Sequence, residues 1–274
     1  MSNKKDSLGD RMKGYENISR NYLTRRVPVI IRLDGKAFHT FTKGMIKPFD
    51  PVLTKAMQET MKYLCENIQG CVLGYTQSDE ITLVLTDYAT PQTDAWFGYN
   101  IQKMGSVSAS MATMAFARAF QLASIEFWRK LEPDDIEGYK LDKIYRDKVC
   151  KALFDARVFS IPKEEVINCL IWRQQDATRN SIEAVGQANF SHSQLHKKSC
   201  NEIQEMLWSE KEINWNDFPT EVKRGSCCVK KETTSLMDDP VNFGKVISVK
   251  RSKWVVDQDI PIFTQDRDYI EKLL

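Results

Sequence analysis

The sequence predicts an α+β fold, in which helices pack on an antiparallel sheet. Three observations indicate this class: a β-branched run at residues 27–33, a hairpin-like pair of apolar segments at residues 71–85, and helical periodicity in the stretches between and after them. The order strand, helix, hairpin, helix, strand, helix favours helices on one face of the sheet. With 274 residues, of which 42% are hydrophobic, the chain is long enough for a sizeable core.

The first predicted elements surround an Asp-Gly dipeptide. Residues 1–26 are predicted to form a basic helix and loop. Residues 27–33 read VPVIIRL, and β-branched residues of this kind favour a strand, which ends in a turn at Asp34 and Gly35. Residues 52–68 have apolar side chains at roughly helical spacing and are predicted to form a helix.

The following elements alternate again between strand and helix. They are a hairpin, a long helix or helix pair, a strand and a second long helix, predicted at residues 71–85, 94–130, 156–160 and 164–187. The hairpin turns at residues 77–79, where Gln, Ser and Asp separate the two apolar runs.

The chain changes character near residue 188, beyond which it is more polar and is predicted to be rich in loops. We therefore predict a catalytic domain at residues 1–187 and a C-terminal region for RNA binding or oligomerisation at residues 188–274. The C-terminal region carries clusters of cations, which suit RNA phosphates but also suit an ordinary solvated surface. These cations include Lys197, Lys198, Lys223, Arg224, Lys230 and Lys231.

The net charge and the cysteine content indicate which partners and which cellular compartment to expect. The formal net charge is +2, so local patches rather than an overall field must meet any nucleic acid. The seven cysteines are odd in number and form no CxxC pair, which suits a reducing compartment. No signal peptide and no run of 18 apolar residues is visible. We expect a cytoplasmic protein.

Three carboxylates stand at predicted strand ends. Asp34 closes one strand, and Asp79 and Glu80 lie at the hairpin turn. If the strands are neighbours, the carboxylates converge, and hard oxygen ligands suit Mg²⁺. A pair of such ions activates an attacking hydroxyl and stabilises a leaving oxygen at phosphorus. Turn chemistry alone also explains an Asp-Gly and an Asp-Glu pair, so both explanations remain open at this point.

The residues that follow Asp34 suit a phosphate. Gly35 lets backbone N–H groups approach an anion closely, and Lys36 and His39 add polar or cationic groups. Lys47 and Asp50 lie on the next predicted loop, within reach of a nucleotide.

Four long strings carry a resemblance to a known family. RLDGKAFHTFTKG and GYTQSDEITLVL resemble the paired motifs of the tRNAHis guanylyltransferase family, which includes guanylyltransferase-like proteins that polymerise in the 3′–5′ direction. FDARVFSIPKEEVINCLIWRQQDATRNSI resembles a third segment, and INWNDFPTEVKRGSCCVKK a fourth, with Trp215 where Tyr is usual. The similarity runs in order from about residue 9 to residue 255.

The resemblance implies a palm domain similar to that of 5′–3′ polymerases and nucleotide cyclases. It implies two Mg²⁺ ions held by Asp34, the carbonyl of Gly35, and Asp79. Glu80 is the third predicted catalytic carboxylate, and we expect a supporting role for it because adjacent strand residues point to opposite sides.

The resemblance also implies nucleotide and RNA contacts. Those to a triphosphate fall on Lys36, Ala37, Phe38, His39 and Ser78. Those to an activating nucleotide fall on Lys47 and Asp50, and those to a second nucleotide or the RNA 5′ end on Lys103 and Ser106. The predicted RNA-binding residues are Arg179, Asn180, Lys197, Lys198, Lys223 and Arg224.

The implied activity is nucleotide addition to the 5′ end of tRNA, after ATP has adenylylated the 5′-monophosphate. ATP, GTP and other nucleoside triphosphates are the implied substrates, and a homotetramer built from dimers is the implied assembly. Family members dedicated to tRNAHis carry His-Ile-Asn-Asn where this chain has Thr178-Arg179-Asn180-Ser181. The departure favours template-dependent repair of 5′-truncated tRNA, and G−1 addition to tRNAHis stays open.

Two other functions remain alternatives. A nucleotide cyclase would share the palm and its metal pair, but it would form cyclic products from GTP alone. A non-catalytic tRNA-binding protein would show no Mg²⁺ dependence and would be indifferent to loss of Asp79.

Overall fold

A six-stranded antiparallel sheet forms the centre of the computed structural model, which describes residues 7–238 and 246–274. The spatial order of the strands is β4-β1-β3-β2-β5-β6. Their bounds are β1 Val29–Gly35, β2 Cys71–Gln77, β3 Glu80–Leu85, β4 Phe154–Ser160, β5 Ser226–Asp238 and β6 Val246–Asp257. The predicted hairpin at residues 71–85 is confirmed as β2 and β3, and the predicted strands around it are confirmed as β1 and β4.

Ten α-helices and two short 3₁₀ turns, at Trp96–Tyr99 and Trp215–Asp217, accompany the sheet in the described residues. The helices are α1 Ser7–Ile18, α2 Phe38–Phe41, α3 Pro51–Asn67, α4 Ile101–Trp128, α5 Ile136–Lys148, α6 Lys163–Asn189, α7 His192–Leu195, α8 Cys200–Lys211, α9 Thr220–Arg224 and α10 Asp268–Glu271. The first six residues of the predicted N-terminal segment lie outside the described residues. Within the described ranges, no helix is both long and apolar enough to cross a membrane.

Both faces of the sheet are covered, which differs from the expectation of helices on one face. Along β1, Val29, Ile31 and Leu33 are buried against α3 and α4, whereas Ile30 points the other way. Ile30 packs in a second core with α6 residues such as Leu170. The alternation follows from the pleat of a strand, and a strand apolar on both sides needs a helix on each face.

The region after residue 188 is more regular than predicted. It contains α8 and the two longest strands, and β5 joins β2 through the pairs Gly74–Cys228 and Thr76–Ser226. The sheet is therefore continuous across the predicted boundary at residue 187. The polar composition of β5 and β6, with many Lys, Ser and Thr residues, hides them from a hydrophobic pattern.

Candidate functional site

The end of β1 lies directly beside the turn between β2 and β3. Asp34 of β1 is in register with Glu80 of β3, and the backbone N–H of Gly35 donates to the carbonyl of Asp79 at 3.1 Å. The Asp-Gly and Ser-Asp-Glu segments, 45 residues apart in sequence, are therefore hydrogen-bonded neighbours. Asp155 of β4 is in register with Asp34 on the other side, a fourth carboxylate that the sequence analysis did not single out.

The ionised forms of Asp34 and Asp79 are disfavoured in the folded protein, because the pKa of each carboxyl is raised. Burial raises the pKa of Asp34, and the nearby carboxylates of Glu80 and Asp155 raise it further. Burial also raises the pKa of Asp79, although hydrogen bonds from the Ser78 hydroxyl and the backbone oppose the shift. Half-buried carboxylates that repel one another favour a cation between them.

The carboxylates of this site suit a cation that takes most of its ligands from water and from the substrate. In residues 7–238 and 246–274, no three Asp, Glu, His or Cys side chains gather closely enough to hold a metal ion by themselves. Mg²⁺ fits such a site, because it keeps several waters and binds through one or two carboxylates plus substrate phosphates. Asp34 and Asp79 are the two carboxylates that could bind such an ion.

Glu80 differs from the two aspartates because arginines occupy both of its oxygens. Arg32 donates to one oxygen at 2.6 Å, and Arg173 of α6 donates to the other at 2.7 Å. Arg173 is only 5% exposed and also pairs with Asp176 at 3.2 Å. This network ties the β2–β3 turn to α6 and suits a positioning role for Glu80. Neither arginine was predicted from the sequence, although they lie inside the RLDG and WRQQD strings.

The segment after Asp34 is anchored by an aromatic ring. Phe38, at the start of α2, is buried among Phe41, Phe116 and Phe154. A Cβ atom on Gly35 would lie 2.3 Å from the Phe38 ring, so only glycine fits there. The buried ring leaves Phe38 only its backbone for a ligand.

The other predicted triphosphate residues lie at the surface. Lys36, Ala37 and His39 are exposed, and Ala37 has a left-handed backbone, with φ of 54°. His39 lies within hydrogen-bond distance of the Thr40 hydroxyl, at 3.0 Å.

A pocket brings together predicted residues from three separate segments. Asp50, Ser78 and Asn180 all line it, between α3, the β2–β3 turn and α6. Lys47 is exposed on the loop before α3.

The Asp50 carboxylate already has three donors. It accepts from the backbone N–H groups of Leu53 and Ile46, each at 3.0 Å, and from the Tyr145 hydroxyl at 2.7 Å. Asp50 is thereby the N-cap of α3, and an acceptor position remains in a carboxylate with about four of them.

Lys103 and Ser106 lie on the first turns of α4. Both side chains are exposed, and the Lys103 ammonium is 5.7 Å from the centre of the Phe97 ring. Gly105, between them, approaches the carbonyl of Ala156, so this end of α4 crosses the strand that pairs with β1.

Four of the predicted RNA-binding residues are exposed, two on α6 and two on the segment between α7 and α8. Arg179 pairs with Asp176, one turn earlier, and Asn180 is exposed beside it. Lys197 and Lys198 are exposed, and Lys198 pairs with Glu202 at 3.2 Å. Ion pairs at the surface are weak enough for RNA phosphates to replace them.

Lys223 corrects the prediction. It is 7% exposed, and its ammonium donates to the carbonyl of Asn216 beneath the Trp215 ring. Burial and the neighbouring Arg224 lower its pKa. A buried lysine with a backbone partner cannot reach RNA, so Lys223 is a structural residue of α9. Arg224 is partly exposed, 5.8 Å from the centre of the same ring.

Sequence comparison finds relatives across most of the chain. The family described as tRNAHis guanylyltransferase matches residues 9–162. The uncharacterized protein R259 of Acanthamoeba polyphaga mimivirus is 26% identical over 261 residues, 90% of this chain and 86% of that protein. The tRNA(His) guanylyltransferase of Saccharomyces cerevisiae is 26% identical over 217 residues, 74% of this chain and 82% of that one.

Solved structures extend the similarity to the whole fold. A bacterial tRNA(His) guanylyltransferase (Thg1)-like protein in complex with ATP is 44% identical, with a TM-score of 0.79 over 97% of this chain and 98% of that one. Such a protein in complex with GTP is 41% identical, with a TM-score of 0.72 over 98% and 99% of the two chains. The Saccharomyces cerevisiae enzyme shares the fold at 23% identity, with a TM-score of 0.59 over 78% of this chain and 91% of that one.

Proposed function

The chain belongs to the tRNAHis guanylyltransferase family of nucleotidyltransferases, and from that premise we propose that it adds nucleotides to the 5′ end of tRNA in the 3′–5′ direction. The observation that carries the proposal is the hydrogen bond that joins Gly35 to Asp79 and places Asp34 and Asp79 on neighbouring strand ends. Residues 36–39, the segment proposed to bind phosphate, follow directly. The solved relatives that bind ATP and GTP support nucleoside triphosphates as substrates.

The proposed reaction has two displacements at phosphorus. In the first, a 5′-phosphate oxygen of the tRNA attacks the α-phosphorus of ATP, the bond to the β-phosphate oxygen breaks, and pyrophosphate leaves. In the second, the 3′-hydroxyl of an incoming nucleotide attacks the activated 5′ phosphate, loses its proton, and AMP leaves. A tRNA that already has a 5′-triphosphate needs only the second displacement, in which pyrophosphate leaves in place of AMP. Both are in-line transfers, which one site can serve.

We propose that Asp34, Asp79 and the carbonyl of Gly35 hold two Mg²⁺ ions. The bound ions would supply charge stabilisation at the attacking and leaving oxygens. The arginine-held Glu80 keeps the β2–β3 turn, and with it Asp79, in position against β1. Fixed ligand geometry of this kind contributes to catalysis because misplaced groups lose rate steeply.

Other residues of the chain orient the substrates in this proposal. Backbone amides at Ala37, Phe38 and His39, with Lys36 and Ser78, receive a triphosphate. The pocket that Asp50, Ser78 and Asn180 line receives the activating nucleotide, with Lys47 at its approach. Lys103 and Ser106, both exposed, meet the second nucleotide or the RNA end. Arg179, Asn180, Lys197, Lys198 and Arg224 contact RNA.

The biological role that we propose is repair of 5′-truncated tRNA in the cytoplasm by a homotetramer. The replacement of His-Ile-Asn-Asn by residues 178–181 supports a broad tRNA range over strict tRNAHis specificity. Addition of G−1 to tRNAHis is the second candidate activity, and the family's name supports it.

The test uses tRNAHis and an unrelated tRNA, each lacking its first 5′ nucleotide and labelled at a 5′-monophosphate. Each is incubated with the protein, ATP, nucleoside triphosphates and Mg²⁺, with Asp79→Ala as control. Extension of both by the nucleotide that complements the opposing base, lost in the variant, supports general repair. Extension of tRNAHis alone supports G−1 addition. Cyclic products from GTP alone, or RNA binding without extension, would refute the proposed activity.

A further inference from the structure

A second cleft, of about 580 Å³, opens between residues 36–43 and the end of α5. Its two walls are joined by direct contacts. The backbone N–H of Lys36 donates to the carbonyl of Leu153 at 2.9 Å, and the Lys148 ammonium donates to the carbonyl of Phe41. The cleft is therefore a preformed feature, and its rim begins two residues after Asp34.

Four lysines and one aspartate line this cleft, namely Lys36, Lys43, Lys148, Lys151 and Asp147. In the described part of the chain, none of the four lysines has an ion pair, whereas other exposed lysines, such as Lys130 and Lys140, have a glutamate partner. Burial and the nearby Lys151 lower the pKa of Lys148, a sign of uncompensated positive charge. With four cations against one anion, the lining is net positive, and such a cleft attracts anions.

We infer that this cleft binds the sugar-phosphate backbone of the RNA substrate as the strand leaves the reaction site. The inference rests on the proposed function, because it names the path of the RNA from that site. Its cations are spread over both walls, as a chain of phosphates requires. Its lining also includes Phe41 and the half-exposed Leu153, which offer apolar surface to sugars. The pocket of Asp50, Ser78 and Asn180 is a separate place for the nucleotide.

The nature of the lining predicts binding without sequence preference. Lysines meet phosphates as point charges, and phosphate contacts position an RNA without reading its bases. Each such contact releases counterions, so the dependence of affinity on salt reports the number of contacts.

The test is the double variant Lys43→Gln/Lys151→Gln, because neither side chain supports the fold through a hydrogen bond or ion pair in the described residues. Binding of a labelled tRNA that lacks its first 5′ nucleotide is measured by anisotropy over a range of salt concentrations, without nucleotides. We expect the slope of log K against log salt to fall by about 2, with roughly tenfold weaker binding at low salt. The KM for ATP in the adenylylation step should not change.

The matched control is Lys130→Gln/Lys140→Gln, which removes two exposed lysines outside the cleft and should leave the slope unchanged. An unchanged slope in the cleft variant overturns the inference. So does a raised KM for ATP with normal RNA binding, which would make the cleft a triphosphate subsite. If the slope falls but the wild-type protein never extends the tRNA, the cleft is supported and the proposed activity fails separately.

Discussion

Asp34 and Glu80 lie opposite each other in the register of β1 and β3, yet only Glu80 is neutralised by arginines. Arg32 and Arg173 occupy the two oxygens of Glu80, while burial and neighbouring carboxylates raise the pKa of Asp34. The site thus separates two tasks. Glu80 ties the β2–β3 turn to α6, and Asp34 and Asp79 remain as the carboxylates that we propose bind a cation.

Replacement of Asp79 by Asn should abolish nucleotide addition and raise the melting temperature of the metal-free protein at neutral pH. Burial raises the pKa of Asp79 in the folded state, so the ionised form is disfavoured there. The stability that the protonated form provides is full below the ordinary pKa of 3.8 and is lost as pH rises through the raised value. Asn cannot ionise, so the Asp79→Asn protein does not lose this stability at neutral pH. Thermal unfolding against pH, with and without Mg²⁺, measures it.

The metal dependence supplies the control for this variant. Mg²⁺ should stabilise the wild-type protein by about 2.7 kcal/mol at a hundred times its Kd and should stabilise Asp79→Asn much less. Equal shifts in both proteins would contradict the assignment of Asp79 as a ligand.

Replacement of Glu80 by Gln should reduce both stability and kcat. The change removes one of the two carboxylates that pair with Arg173, which is 5% exposed, and leaves Asp176 as the other. Breaking a buried pair costs about 3–5 kcal/mol, and less here because Glu80 is partly exposed and Asp176 stays in place. We expect the free energy of unfolding to fall by about 2 kcal/mol. We also expect kcat to fall by a larger factor than the KM for ATP changes, because the substitution misplaces Asp79 and leaves the nucleotide contacts in place. Urea unfolding and steady-state kinetics measure the two effects.

Glu126→Gln is the matched control, because Glu126 pairs with Lys130 at the surface. It should leave both the stability and kcat nearly unchanged, because ion pairs at the surface contribute little. A KM effect without a kcat effect in Glu80→Gln would instead make Glu80 a substrate contact.

Replacement of Gly35 by Ala should distort residues 36–39, the segment proposed to bind phosphate. The added Cβ would lie 2.3–2.7 Å from carbons of the Phe38 ring, which is held among other aromatic rings and cannot easily move. Overpacking of this kind costs about 1–3 kcal/mol, and a displacement of about 1 Å near the chemistry lowers the rate roughly hundredfold. Thermal unfolding and single-turnover rates measure both.

Two further variants separate this strain from a general effect of alanine. Gly14→Ala, where no atom lies within 4 Å of the new Cβ, should be neutral or slightly stabilising in helix α1. Adding Phe38→Leu to Gly35→Ala removes the ring and should restore part of the rate. No recovery would show that the ring is not the cause.

Local sequence patterns predicted the aspartates of the candidate site better than they predicted the arginines that hold Glu80. The strand end at Asp34 and the turn at Asp79 are visible in sequence, because turn residues interrupt apolar runs there. The partners of Glu80 are not, since Arg32 and Arg173 are 48 and 93 residues away and only the folded sheet brings them together. Tertiary contacts of that separation leave no periodic signal.

The C-terminal region shows the limits of composition. Lys223 was predicted to bind RNA because it lies in a cluster of cations and most lysines are exposed, but it is buried beside Trp215 and the carbonyl of Asn216. Strands β5 and β6 carry many polar residues, and among their side chains that the structure describes, only the start of β5 and the end of β6 contribute buried apolar ones, such as Val229 and Trp254. Their pairing with each other and with β2 therefore defines them more than a hydrophobic pattern does.

Replacement of Asp50 by Ala should affect both the fold and nucleotide binding. Asp50 caps α3 through Leu53, and loss of such a cap costs about 1–2 kcal/mol, to which the unpaired Tyr145 hydroxyl adds about 1 kcal/mol. Because Asp50 also lines the pocket proposed for the activating nucleotide, the KM for ATP should rise severalfold. Tyr145→Phe is the matched control: it removes one donor to Asp50 outside the pocket, so it should cost about 1 kcal/mol and leave the KM unchanged. A folded Asp50→Ala protein with normal KM and normal nucleotide preference would leave Asp50 with the helix cap as its whole role.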